Sequence, residues 1–190
     1  MSTDVLERAF ATTRKIVAKV TPDDLDKPTP CASWDVRALV NHIVAGSHWF
    51  ASSTNAGVAA EGGDAAGTDF TAGDLTASYD EGIKASLAAF SAPGAQEKMV
   101  KLPFGEFPGA VFMGLATNDT FVHGWDLAKA LGQPLDIDPE MAAQLLEQVR
   151  ATIPDQFRGP DGQAPFGPVV ECHDSLPAAS RLAAFLGRTP

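Results

Sequence analysis

The stretch NDTFVHGWDLAKALG, residues 118 to 132, combines a helical pattern with polar residues on the side that should face the core. Apolar residues recur at helical spacing here and in the residues just before, which predicts a helix from about Pro108 to Gly132. On the face that should meet the core, Asp119 and His123 lie one helical turn apart. A lone buried carboxylate is costly unless it is paired, protonated or bound to a metal. The segment therefore predicts a helix that carries an internal polar site.

Five further segments carry helix signals, and no composition shift or linker marks a domain boundary. The segment EKMVKLPFGEFPG, residues 97 to 109, fits either a short strand or an extended crossing. Together these patterns predict an all-α bundle with long connections, in one domain over residues 1–190. The predicted helices cover residues 4–20, a segment from an N-cap at Ser33 to about residue 52, residues 75–90, about 108–132, 139–153, and a short last helix that ends at Gly187.

Composition and charge exclude several classes of function. The chain carries 24 acidic residues against 14 Lys and Arg, for a formal net charge of -10. A strongly acidic protein is a poor binder of nucleic acid or anionic membrane, so neither is expected as a partner. No apolar run is long enough to span a bilayer, and the first residues do not resemble a signal peptide. Cys31 and Cys172 form no Cys-x-x-Cys motif, which favours a reducing cytoplasm and leaves a single disulfide open.

The second predicted helix carries another inward histidine. Its polar residues Arg37, Asn41 and His48 share one side, so His48 is predicted to be exposed to solvent. His42 lies away from that group, among small residues. On this helix alone, His42 is best interpreted as a core histidine that one hydrogen bond satisfies.

Combining the two helices gives a more specific hypothesis. His42, Asp119 and His123 supply two imidazoles and a carboxylate, a common ligand set for a catalytic metal with an open coordination position. An Asp119–His123 hydrogen-bonded pair without any metal is the alternative, and the residues alone leave both open. Asn118 and Asp126 are candidates for orienting a ligand ring through a hydrogen bond, and helix capping is the alternative for Asp126.

Other polar and aromatic residues are given simpler interpretations. Cys31 precedes a helix N-terminus and is interpreted as an ordinary half-buried cysteine. The three tryptophans are assigned to the core or to an interface, and the segment ECHDS, residues 171 to 175, to a surface loop. No P-loop or dinucleotide-binding pattern is present.

Three segments resemble one known family. The stretch TPCASWDVRALVNHIVAG, residues 29 to 46, resembles the N-terminal signature of the mycothiol-dependent maleylpyruvate isomerase family. Residues 118 to 134 resemble its second signature, an acid followed four residues later by histidine and then by Trp-Asp-Leu. The ending RLAAFLGRTP resembles a short actinobacterial metal-binding subgroup. In the first signature the matching residues are Thr29, Pro30, Cys31, Trp34, Val36, Arg37, Leu39 and His42.

The resemblance implies a fold, a metal and a chemistry. The family is a branch of the DinB-like metal-binding proteins, which implies an all-α DinB-like four-helix bundle with extra short helices and long connections. It implies a divalent metal, usually zinc and sometimes nickel, held by His42, Asp119 and His123, with no catalytic residue beyond these ligands. It also implies mycothiol as a thiol co-substrate and a small electrophile as substrate. Relatives with this bundle often form homodimers.

Two departures from the family limit what carries over. The characterised isomerase has a larger C-terminal domain, whereas only 58 residues follow Gly132 here. The acidic ligand position is Asp119, where the isomerase has glutamate. The resemblance therefore supports the bundle and the metal better than it supports the maleylpyruvate isomerase reaction. The functional hypothesis is a metal-dependent thiol transferase or isomerase, and the alternatives are a non-catalytic metal-binding or sensing module and a metal-free bundle.

Overall fold

The computed structural model describes residues 3–60, 67–160, 164 and 166–190, and over these residues the chain is mostly helical. The predicted all-α DinB-like bundle is confirmed. None of the described helices combines the length and the apolar character needed to cross a membrane. The elements are α1 (Asp4–Val17), α2 (Val36–Ala56), α3 (Leu75–Ser91), β1 (Met99–Leu102), β2 (Gly105–Pro108), α4 (Gly109–Ala130), α5 (Pro139–Thr152) and α6 (Ala178–Phe185).

Helix α2 begins and ends at different residues from those predicted. Its N-cap is Asp35 rather than Ser33, because the Asp35 carboxylate accepts a hydrogen bond from the Ala38 backbone N–H. Its last turn runs to Ala56 rather than to about residue 52, and Gly57 then ends it with a φ of 76°, in the left-handed region that glycine adopts most easily. The capping carboxylate fixes where the turns of α2 begin, and so where His42 points.

Residues 97 to 109, which fit either a short strand or an extended crossing by sequence, contain a β-hairpin. Strands β1 and β2 pair antiparallel, from Met99 opposite Pro108 to Leu102 opposite Gly105. The Lys101 backbone bonds to both Gly57 and Ala59, which attaches the hairpin to the end of α2. The hairpin leads directly into α4, whose first residue is Gly109. It therefore sets the starting point of the helix that carries Asp119 and His123.

Helix α4 lies between two apolar clusters. On one side it packs with α1, α2 and α3 around residues such as Leu39 and Phe112. On the other side it packs with α5 and α6 around residues such as Trp125 and Leu182. Because α4 is buried on both sides, its own apolar residues are spread around most of the helix surface. The polar residues of α4 are thus held at fixed positions by packing on both sides.

Candidate metal centre

Helices α2 and α4 bring the three residues predicted as ligands together. The Nε2 atom of His42 lies 3.7 Å from Asp119 Oδ2, and the Nε2 atom of His123 lies 3.5 Å from Asp119 Oδ1. The two imidazole rings meet edge to face, with their centroids 4.6 Å apart. One donor atom from each residue lies within 4.8 Å of the other two. The two helices thus present a converging set of two nitrogens and one carboxylate oxygen.

The spacing of these donors is longer than that of an ordinary hydrogen bond and is compatible with a bound ion. An N–H···O hydrogen bond normally measures about 2.7–3.2 Å, and both contacts of Asp119 are longer. In a tetrahedral zinc site with bonds of about 2.1 Å, neighbouring donor atoms lie about 3.4 Å apart. The observed 3.5 and 3.7 Å are close to that value. The residues present therefore fit a zinc-class divalent ion.

Exposure of the three side chains gives the site one open side. The His42 and His123 side chains are 14% and 11% exposed, whereas that of Asp119 is 37% exposed. A solute can therefore approach from the Asp119 side. The indole of Trp34 packs against both imidazoles, with its ring centroid 4.6 Å from that of His42 and 5.6 Å from that of His123. Trp34 was predicted only as a core or interface residue, and its contact with both imidazoles was not anticipated.

The charges of the site are strongly coupled. Burial would raise the pKa of Asp119, but the neighbouring His123 and His42 outweigh it and hold that pKa well below the ordinary value of a carboxyl group. Burial would lower the pKa of His123, but the Asp119 carboxylate outweighs it and raises that pKa. Both directions favour the charged forms, so an anionic carboxylate is available at this position.

Behind His123 lies a second carboxylate with a different contact. His123 Nδ1 lies 3.0 Å from Asp126 Oδ2, a normal hydrogen-bond distance, and the Asp126 side chain is fully buried. Because an ionised carboxylate only accepts, Nδ1 carries the hydrogen and Nε2 faces Asp119. A carboxylate behind a histidine is the usual arrangement for orienting a metal ligand. The prediction that Asp126 contacts a ligand ring agrees with this geometry.

Two more groups reach the same carboxylate. The Cys31 thiol donates to Asp126 Oδ2 at 3.3 Å and lies 4.0 Å from His123 Nδ1. The Arg188 guanidinium, from the end of the chain, donates to the same oxygen at 3.2 Å. Burial would raise the pKa of Asp126, but His123 and Arg188 outweigh it and lower that pKa. Arg188 was not predicted as a site residue, because nothing in the sequence pattern of a chain end links it to a helix 62 residues away.

Cys31, His123 and Asp126 also form a second group whose donor atoms lie within 4.8 Å of one another. His123 belongs to both groups, offering Nε2 to the first and Nδ1 to the second. We call His42, Asp119 and His123 the front set, and Cys31, His123 and Asp126 the back set. The back set differs from the front set in having the Arg188 guanidinium beside it.

Several other predictions are corrected by the structure. Asn118 donates its amide to Gly114 O at 3.0 Å on its own helix, and its buried Oδ1 has no hydrogen-bond partner among the described residues, so it bonds to no site ring. His48 is half-buried rather than exposed, because its Nε2 bonds to Ser78 O and its ring stacks on Phe70. The single disulfide left open by the sequence is not formed, since both cysteines are free thiols.

Comparison with known proteins gives a consistent picture. Residues 6–128 match the family model described as the mycothiol maleylpyruvate isomerase N-terminal domain. Uncharacterized proteins from two strains of Mycobacterium tuberculosis are each 38% identical over 187 residues, covering 96% of this chain and 95% of theirs. No solved structure matches the chain significantly. The family match includes the whole front set and ends before α5, α6 and Arg188.

Proposed function

Because the chain belongs to the mycothiol maleylpyruvate isomerase N-terminal domain family, we propose that it binds a divalent metal through His42, Asp119 and His123. We further propose that it uses the metal to activate a low-molecular-weight thiol, mycothiol, for transfer to or isomerisation of a small electrophile. Zinc is the proposed ion, with nickel as the second choice. The observation that carries the proposal is the convergence of three donor atoms within 4.8 Å of one another, with two of their separations, 3.5 and 3.7 Å, close to those in a tetrahedral site.

A bound zinc-class ion supplies Lewis acidity and lowers the pKa of a coordinated thiol, so that the reactive thiolate exists at neutral pH. The chain's own residues have separate tasks. His42 and His123 present their Nε2 atoms, and Asp126 accepts the hydrogen of His123 Nδ1 and holds that ring in place. Asp119 lies at the open side, where a thiol would enter. Trp34 packs against both imidazole rings.

The first test is metal content. We expect about one zinc or nickel per chain in the purified protein by elemental analysis, as for a mononuclear site. His42→Ala and His123→Ala should each lose the metal. His173→Ala is the matched control, because His173 lies in an exposed turn and bonds only to Ser175 among the described contacts. A protein that carries no metal and cannot be loaded with one would contradict the proposal and leave the three residues as a buried polar cluster.

A second test separates an enzyme from a metal-binding or sensing module. Loaded protein is assayed with a panel of small electrophiles, with and without mycothiol. Turnover that requires both the thiol and the metal, and that His42→Ala abolishes, is the expected result. Stoichiometric metal binding without thiol-dependent turnover on any electrophile would favour the non-catalytic module instead.

A further inference from the structure

The back set contains the donor atoms of a metal site, but a positively charged side chain lies beside them. Its thiol, imidazole nitrogen and carboxylate oxygen lie within 4.8 Å of one another, close enough to share an ion. Sulfur and nitrogen donors together with a carboxylate would suit zinc or another borderline-soft metal. On ligand identity alone, this set competes with the front set for the same ion. It also shares His123 with the front set, through the opposite ring nitrogen.

A fixed cation lies beside the back set. The Arg188 Nη2 atom is 3.2 Å from Asp126 Oδ2 and 3.9 Å from Cys31 Sγ, so it contacts two of the three donor residues. The Arg188 Nε atom also lies 3.4 Å from each of the two Asp126 carboxylate oxygens. The Arg188 side chain is only 15% exposed and that of Asp126 is fully buried, so water screens this charge poorly.

The chain end that carries Arg188 is held in place by several bonds. Arg188 Nη1 donates to Leu186 O at 2.9 Å, and the Arg188 backbone N–H donates to Ala183 O at 2.9 Å. Lys129 Nζ, on α4, donates to Thr189 O at 2.6 Å. The guanidinium is therefore anchored both to α6 and to the helix that carries His123. A side chain anchored in this way does not readily move aside for an ion.

We propose that Arg188 keeps metal ions out of the back set and so confines them to the front set. An ion bound to Cys31, His123 and Asp126 would lie within a few ångströms of the guanidinium, with little water between the two charges. Because Arg188 occupies the place beside Asp126 that a metal ion would take, His123 Nδ1 stays bonded to that carboxylate and His123 Nε2 stays directed to the front set. Arg188 is a specificity-determining residue in this view. The inference rests on the proposed function only in taking the front set as the resident metal site.

Cobalt(II) distinguishes the two sets, because a thiolate ligand gives cobalt a charge-transfer band in the near ultraviolet that nitrogen and oxygen ligands do not give. The exposed Cys172 is first changed to alanine, so that Cys31 is the only thiol. In this background we expect cobalt to bind without a thiolate band. Adding Cys31→Ser should change cobalt affinity by less than about threefold, as for a residue that does not touch the ion. A thiolate band in this protein would overturn the proposal.

Removing the charge should open the back set. Arg188→Gln, which keeps polar contacts but no charge, should create a thiolate band and raise the affinity of the back set for cobalt at least about tenfold. Adding Cys31→Ser should abolish that band. Arg188→Lys keeps the positive charge and should show no band. If Arg188→Gln and Arg188→Ala are folded and neither binds cobalt through Cys31, the proposal is wrong.

A control separates the charge from a loosened chain end. Arg158 is also nearly buried, and it holds the same region by donating to Phe185 O at 2.7 Å without contacting the site. Arg158→Ala should give no thiolate band, and a band in this variant would mean that loosening alone exposes Cys31. If the parent protein takes up no cobalt but Arg188→Gln shows the band, the front-set proposal fails while the role of Arg188 stands. Should the Arg188 variants fail to fold, the parent protein with and without Cys31→Ser still tests the claim.

Discussion

At the scale of single residues, His123 organises the site because its two ring nitrogens meet two different carboxylates. Nε2 faces the partly exposed Asp119 at 3.5 Å, whereas Nδ1 bonds to the fully buried Asp126 at 3.0 Å. The long contact leaves room for an ion between the two groups, and the short one fixes the ring. One helix thus supplies a ligand and its support at positions i+4 and i+7 from Asp119.

The buried side of this arrangement gives a stability prediction. Asp126→Asn keeps the size of the side chain but leaves the Arg188 guanidinium without its anionic partner. Breaking a buried ion pair on one side costs about 3 kcal/mol or more, so we expect that loss in the free energy of unfolding. Asp80→Asn is the control, because Asp80 pairs with Arg14 where both side chains are more than 40% exposed. There the expected loss is less than about 1 kcal/mol. Urea unfolding of both variants checks this, and equal losses would contradict it.

The residues of the site differ in how far the sequence could predict them. His42, Asp119 and His123 lie on helices, where spacing alone places a side chain on a face, and the structure brings them together as expected. Cys31 lies in a connection and Arg188 at the chain end, and no periodicity constrains either. Their contacts with Asp126 depend on how α6 folds back onto α4, which is a long-range property of the packing.

At the scale of elements, the position of α4 depends on one close approach to α1. Thr13 on α1 is fully buried and donates its hydroxyl to Thr120 O on α4 at 2.8 Å. A Cβ added at Gly124 would overlap the Thr13 hydroxyl and lie 3.1 Å from its Cβ. Because Gly124 has no side chain, α1 and α4 can approach closely there. This close approach helps to set the position of the neighbouring His123.

Substituting alanine at this position should separate the helices. Gly124→Ala gains helix propensity, but overpacking a buried contact typically costs about 1–3 kcal/mol, so a net loss of stability is expected. Gly114→Ala on the same helix is the matched control, because the nearest atom to an added Cβ is the flexible end of Gln148 at 3.4 Å. That variant should be neutral or more stable by up to about 1 kcal/mol. Thermal unfolding compares the two. If the Gly124→Ala protein is as stable as the Gly114→Ala protein, α1 shifts to accommodate the added methyl group and the prediction is wrong.

Element boundaries show where sequence reasoning reached its limit. The six helices were predicted with the right type and order, because apolar residues recur at helical spacing in each and caps, Gly or Pro mark their ends. The N-cap of α2 was placed two residues early, since Ser33 and Asp35 are both good caps and only the observed bond to Ala38 chooses between them. The pattern of residues 97 to 109 fits both a strand and an extended crossing, because the four-residue strands β1 and β2 are too short to show a period.

At the scale of the whole molecule, the two apolar clusters lie on opposite sides of α4. The family match ends at residue 128, yet the cluster formed by α4, α5 and α6 buries residues of α4 itself, including Phe121 and Trp125. Without α5 and α6 these aromatic side chains would face water. The last 60 residues or so are therefore part of what supports α4, and not an appendage to it.

The single domain predicted over residues 1–190 is a proposal that unfolding experiments can test. Leu39 lies fully buried in the cluster of the first four helices, and Leu182 lies fully buried in the cluster of α4, α5 and α6. Leu39→Ala and Leu182→Ala should each lower the free energy of unfolding by about 2–5 kcal/mol. If the chain is one cooperative unit, each variant should unfold in a single transition. Within each variant, far-ultraviolet circular dichroism and tryptophan fluorescence should then give the same midpoint. An early separate transition in Leu182→Ala alone would instead mean that α5 and α6 unfold independently, and that Arg188 leaves the site before the bundle unfolds.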